Sequence, residues 1–176
     1  MEVNGYKIEP GAKLSNSFLE EANLQKLDLN GADLSGSNLD RANLFSAVLN
    51  NSNLSGITAR STNFDLAWLM EANLTEADLS CASLLHACLI RSNLTNAHFL
   101  NANLEHADLT KSNLFCADMR QVNLKFADLT NSFIVGVDFM SADLSNANLR
   151  DAHMDACNLS STTLTGAIMP DGTIHD

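Results

Sequence analysis

The chain has 176 residues, 45% of them hydrophobic but only 6% aromatic, and a formal net charge of −11 from 21 acidic and 10 basic residues. That length suits one domain, and the acidic balance argues against the basic footprint of a nucleic-acid binder. No stretch approaches the length of a membrane span. Cys81, Cys88, Cys116 and Cys157 form no C-x-x-C pair, which disfavours disulfides and zinc and suits a reducing interior.

In chain order, residues 1–11 precede any repeat. Val3, Tyr6 and Ile8 alternate there, which predicts a short strand lying as a lid over whatever follows. Glu2, Asn4, Lys7 and Glu9 leave no room for the apolar run of a signal peptide, so the expected compartment is the cytoplasm.

From Leu14 to Met169 every fifth residue is apolar without a slip in register. Of these 32 centres, 31 hold Leu, Ile, Met or Phe, and Ala59 is the exception. Two residues before each centre the chain is small, with Ala in 19 units (Ala22, Ala32, Ala42, Ala72, Ala102 and Ala142 among them), and Asn or Asp lies between in 20. The unit reads A-[N/D]-L-x-x.

A period of five fits neither regular element. On a helix, at roughly 100° per residue, successive centres step by about 140° and share no face. On a straight strand every second centre flips to the other side. One arrangement keeps all centres inside: the backbone bends once per unit, with the Ala and Leu positions inward and the other three outward. Such coils must stack, because a single layer cannot bury its own apolar positions.

The number of sides follows from the outer residues. Where the position before the centre has a number ending in 3, Asn fills 9 of 16 places; where it ends in 8, Asp leads with 6 of 16. A ten-residue alternation survives stacking only on an even-sided coil. Four sides give an all-β, quadrilateral parallel β-helix of about eight 20-residue coils.

At the far end Pro170 and Asp171-Gly172 read as a turn that stops the coil. The expected organisation is a capping segment over 1–11, a solenoid over 12–171 and a tail over 172–176. Neither cap is long, so a homodimer through a face or a solenoid end is an expected mode of assembly.

The run A-N-L-T-E-A-D-L-S at 72–80 and its neighbours resemble the pentapeptide-repeat family over about nine-tenths of the chain. The segments Y-K-I-E-P-G-A at 6–12 and G-A-I-M-P-D-G-T-I-H-D at 166–176 resemble the termini of cyanobacterial members. The resemblance implies a right-handed hand for the coil and says almost nothing of activity. Some members present acidic rods to DNA gyrase as a duplex mimic. Here the columns Asp108–Asp128 and Asp118–Asp138 would carry that role as a topoisomerase inhibitor or protector, against scattered Lys26, Arg41, Arg60, Arg91, Lys111, Arg120, Lys125 and Arg150.

With residues 20 apart stacked, the outer columns are legible. Asn53, Asn73, Asn93 and Asn113 make one amide ladder, and Asn23, Asn43 and Asn63, then Asn103 and Asn123, make another; both are expected to be structural. His86 and His106 stack beside Glu105, between Leu66 and Phe126, without an evident third metal ligand. Val48, Trp68 and Cys88 form an outward column where polar residues belong, flanked by Met70 and Ile90 with Leu66 at the corner. This strip is the first expected partner-binding surface. Phe115, Phe133 and Val135 form a second, although Ile134 keeps the inward register and leaves the direction of Phe133 open.

Inward positions carry no Asp, Glu, His, Lys or Arg, and tight Ala and Leu layers should leave no cleft. The expected protein is therefore no enzyme and needs no cofactor or metal. It is a scaffold that binds an unidentified protein partner through a flat outer face, without direct contact to nucleic acid or membrane.

Overall fold

The computed structural model describes residues 1–176 and contains no helix. Backbone bridges join each unit to the one 20 residues on, always in parallel: Asn53 to Asn73, Asn73 to Asn93 and Asn93 to Asn113 along one side, Val48 to Trp68 and Trp68 to Cys88 along another. Four bends therefore close each coil. Each unit ties itself to its neighbours through its own amides; Leu69 N donates to Cys88 O at 2.7 Å, Glu71 N to Ile90 O at 2.9 Å and Trp68 N to Ala47 O at 2.9 Å. Pairing of this kind satisfies most of the peptide groups that face the interior, although only short stretches are strand.

Nearly every bend is a β-turn closed by the carbonyl of one centre and the amide of the next Ala position, as from Ala67 N to Phe64 O at 2.9 Å; the bends after Ile134 and Met154 lack that bond. The residue two after the centre lies in the left-handed region at every corner from Asn16 to Gly166, the position a type II turn requires. Glycine holds few of these corners; Leu66 (φ 58°), His86 (55°), His106 (58°) and Phe126 (57°) adopt the same conformation. No Val, Ile or Thr occupies any of them, as expected where a branched Cβ would meet the backbone. At Gly36 an added Cβ would lie 2.6 Å from Asn16 Oδ1, so that exposed side chain would have to turn aside.

The size of the inward small residue tunes the bend. The turn bond is 3.0 Å at Ala82 and Ala97 but 3.3 Å at Leu27, 3.4 Å at Val122 and 3.5 Å at Ile57. In the last coils Phe133–Val135 (β1) pairs in parallel with His153–Asp155 (β2) in place of the usual isolated bridge. Ile57 also explains the break in the centre pattern. It shares its unit with Ala59, and both are buried at 1% and 0% exposure. The large and small side chains have exchanged places, which conserves the volume of that layer.

Stacked centres form the core, with Phe64, Phe99 and Phe139 completely enclosed among leucines. Ser and Thr at the small inward position mostly donate to nearby carbonyls, as Thr62 Oγ1 does to Leu39 O at 2.6 Å. Ser92 and Ser112 have no partner.

The ends differ from a simple strand lid and a free tail. Glu2–Val3 and Tyr6–Lys7 pair antiparallel as a hairpin across Asn4-Gly5, rather than as the single strand expected from the alternation. Both turn residues have positive φ, the conformation an Asn-Gly hairpin favours. Phe18 N donates to Tyr6 Oη at 3.1 Å, fastening this lid to the first coil. At the other end Ile168 bridges antiparallel to Ile174, so residues past Gly172 fold back along one side of the last coil. Leu159 keeps 37% of its surface exposed there, while equivalent leucines in the middle coils have none.

Candidate functional site

Leu66, Trp68, Cys88 and Ile90 come together around a groove of about 470 Å³ on one side of coils three to five. Trp68, 52% exposed, stands at one end. Cys88, the smaller residue beside it in the column, lines the groove next, and Asp108 follows at the other end. Ile90 lines the groove, as do His86 and His106. The surface is therefore recessed rather than flat, and the expectation that packed layers leave no cleft is corrected here. A cleft arises because the outward column drops from indole to thiol within one layer. Val48 and Met70 belong to the same side but lie outside the groove, both half-buried.

The wall residues His86, His106 and Asp108 were not part of the strip expected from hydrophobicity. Their column spacing is legible in the sequence, but hydrophobicity alone does not mark polar residues as groove lining. The left-handed corners project His86 and His106 outward as parallel rings, 4.7 Å apart and 11° from coplanar, and Phe126 continues the stack at 4.9 Å. Stacking of this kind also bears on metal binding. Imidazole lone pairs lie in the ring planes, so those of parallel rings run side by side and do not converge on one ion. Glu105, beside the pair, approaches His106 Nε2 at 3.9 Å.

Burial pushes the Cys88 thiol up from its ordinary value, and the charge of Asp108 adds to that. This is the opposite of an activated nucleophile, which needs its thiolate stabilised.

The second strip forms a row of rings: Phe115 lies 6.4 Å from Phe133, and Phe133 lies 5.3 Å from His153. Phe133 points outward with 41% exposure while Ile134 is fully buried, and Val135 is half-buried.

The asparagine columns work differently from continuous ladders. Asn73 Nδ2 donates to Asn53 Oδ1 at 3.2 Å and Asn123 Nδ2 to Asn103 Oδ1 at 3.0 Å, but Asn113 turns to Thr95 Oγ1 instead. The recurrent contact is local. The side-chain oxygen accepts the amide two residues on, as Asn93 does from Thr95 N at 3.2 Å, which fastens the next corner.

The acidic columns are likewise uneven. Asp118 accepts a two-pronged contact from Arg120, with Nε and Nη2 each at 2.7 Å, and this holds its carboxyl below the ordinary range. Arg60 reaches Asp78 at 2.6 Å and Lys125 reaches Asp143 at 3.0 Å. Asp108 and Asp128 share a column on the groove side, and neither forms an ion pair.

The pentapeptide-repeat pattern matches in overlapping stretches from residue 11 to residue 171. The chain belongs to the pentapeptide-repeat family. Among solved structures it is similar to HetL, a pentapeptide repeat protein involved in heterocyst differentiation regulation from the cyanobacterium Nostoc sp. strain PCC 7120. Identity is 29%, 87% of this chain and 91% of that one are covered, and the TM-score is 0.59. It is also similar to a pentapeptide repeat protein of the Arabidopsis thaliana thylakoid lumen, at 25% identity over 57% of this chain and 66% of that one, with a TM-score of 0.51. Comparison with curated proteins returns no match. Proteins of this family are generally structural or interaction proteins rather than enzymes.

Proposed function

We propose that this pentapeptide-repeat scaffold is a right-handed, non-catalytic solenoid that binds another protein through the grooved side around Trp68, in the cytoplasm. The observation that carries the reading is the groove itself. It joins a half-exposed indole, at a position where the repeat mostly places Asn or Asp, to the exposed Leu66 and the partly covered Ile90. Recessed apolar surface with an aromatic anchor is what protein partners recognise. The raised thiol of Cys88 supports a binding role over catalysis. A regulatory scaffold is also in keeping with HetL, whose description ties it to regulation of differentiation.

Trp68→Glu combined with Ile90→Lys tests this. The double variant should keep the β-rich circular dichroism of the parent and lose the partner that co-purifies with it. A partner retained at full yield by the double variant would remove the assignment.

Duplex mimicry draws on the Asp108–Asp128 column, which carries charge without a cation beside it. A supercoiling assay tests it, since a mimic must inhibit or protect gyrase at micromolar concentration. The aromatic row Phe115–Phe133 and the half-open last coil are the proposed places for self-association, to be checked by light scattering over a concentration series.

A further inference from the structure

The groove has two chemically different ends. Trp68 offers an apolar ring. Asp108, two layers on and about 10 Å along the column, offers a carboxylate. Its Oδ1 accepts Thr110 N at 2.9 Å, and no Lys or Arg of the chain pairs with it. Asp128 continues the column and is equally free of cations, with Oδ1 taking Thr130 N at 2.9 Å. On the opposite side Asp118 and Asp78 are matched by Arg120 and Arg60. The groove thus joins apolar and flat aromatic walls to an acid that lacks a partner, within a chain of net charge −11.

We propose that this groove receives an arginine side chain presented by an extended segment of the partner protein. The guanidinium pairs with Asp108 beside the outer edges of His86 and His106, whose facing sides are taken up by their own stack with Phe126, and its aliphatic stem runs over Cys88 and Ile90. An apolar neighbour in the segment rests on Trp68. Arginine fits better than lysine because its planar fork meets a carboxylate edge-on with two parallel hydrogen bonds, and it is more weakly hydrated. The negative field of the chain steers such a segment toward the groove. This assignment rests on the docking surface proposed above and names what that surface recognises.

Trp68 is the chain's single tryptophan, so it reports occupancy directly. The peptide acetyl-Leu-Arg-Leu-amide and its citrulline counterpart, which has the same shape without the charge, are titrated while the indole emission is followed. The arginine peptide should give a saturable shift, with the citrulline peptide about tenfold weaker or worse. Asp108→Asn should reduce arginine binding to the citrulline level. That variant should fold, because Asn148 stands in the same column and holds the same contact to the amide two residues on; circular dichroism verifies this.

Equal binding of the two peptides, no response to the arginine peptide, or an undiminished response in Asp108→Asn would overturn the proposal. The two readings separate in partner capture. A partner lost from Trp68→Glu with Ile90→Lys but retained in full by Asp108→Asn sinks the arginine assignment and leaves the docking surface standing. A partner retained by both sinks the docking surface as well.

Discussion

Two sides of the same coil make an instructive contrast. Along Asn53, Asn73, Asn93 and Asn113 each outward amide is consumed locally, chiefly on the backbone two residues ahead. Along Val48, Trp68, Cys88 and Asp108 the backbone has the same bridges, and the layers behind are equally buried. Yet this second side carries a groove, an exposed indole and an unmatched carboxylate. Core and corners are indifferent to what is mounted between them, so outward residues vary without disturbing the fold. A side that departs from the Asn pattern is therefore a place to look for binding.

The contrast breaks first if the two sides do not share one core. Leu89, behind the groove, and Leu94, behind the amides, are both fully buried. Leu89→Ala and Leu94→Ala should each cost about 2–5 kcal/mol, and by similar amounts, in urea unfolding. A clear inequality would mean that the sides are not interchangeable.

Corners should be equally shared. Glu76 (φ 59°) follows the amide side and His106 (φ 58°) leads into the groove. Glu76→Val and His106→Val should each lose about 1–3 kcal/mol, whereas glycine should lose nothing at Glu76 and only the ring stack with His86 and Phe126 at His106. Thermal midpoints of the four variants check this.

Where the sides differ, the effects should differ too. Asn73 accepts from Thr75 N at 3.2 Å and donates to Asn53, so Asn73→Ala should cost about 1 kcal/mol by denaturant titration. Behind the same side, Ser112 buries a hydroxyl without a partner, and Ser112→Ala should raise stability by about 0.5–1 kcal/mol.

The smallest expected effect is one of pH. Arg120 lowers the Asp118 carboxyl below its ordinary value of 3.8. Its contribution is thus present above the unfolded value and disappears as the pH falls through the folded one, below pH ~4. Asp118→Asn should flatten that acid limb.

Much of this was legible before any coordinates. A period of five held for 32 units forces a bend per unit, and an alternation at ten forces an even number of sides. Stacking partners such as His86 and His106, or Phe115 and Phe133, follow from adding 20 or a neighbouring offset. The Asn-Gly pair at positions 4 and 5 marks the turn of the N-terminal hairpin more strongly than the alternation around it marks a single strand. The absence of branched residues from the corners likewise announces their positive φ.

Other features needed three dimensions. No count of apolar residues says that Cys88 is small enough, between Trp68 and Asp108, to open a groove. Nor does spacing reveal that Asn113 hydrogen-bonds sideways to Thr95, or that Asp118 is matched by Arg120 while Asp108 is not. Periodicity determines where each backbone bends and which side chains face inward, because burial imposes one answer on every unit alike. Outward side chains choose among neighbours in adjacent columns and layers, and only the assembled coil brings those competing partners within reach of one another.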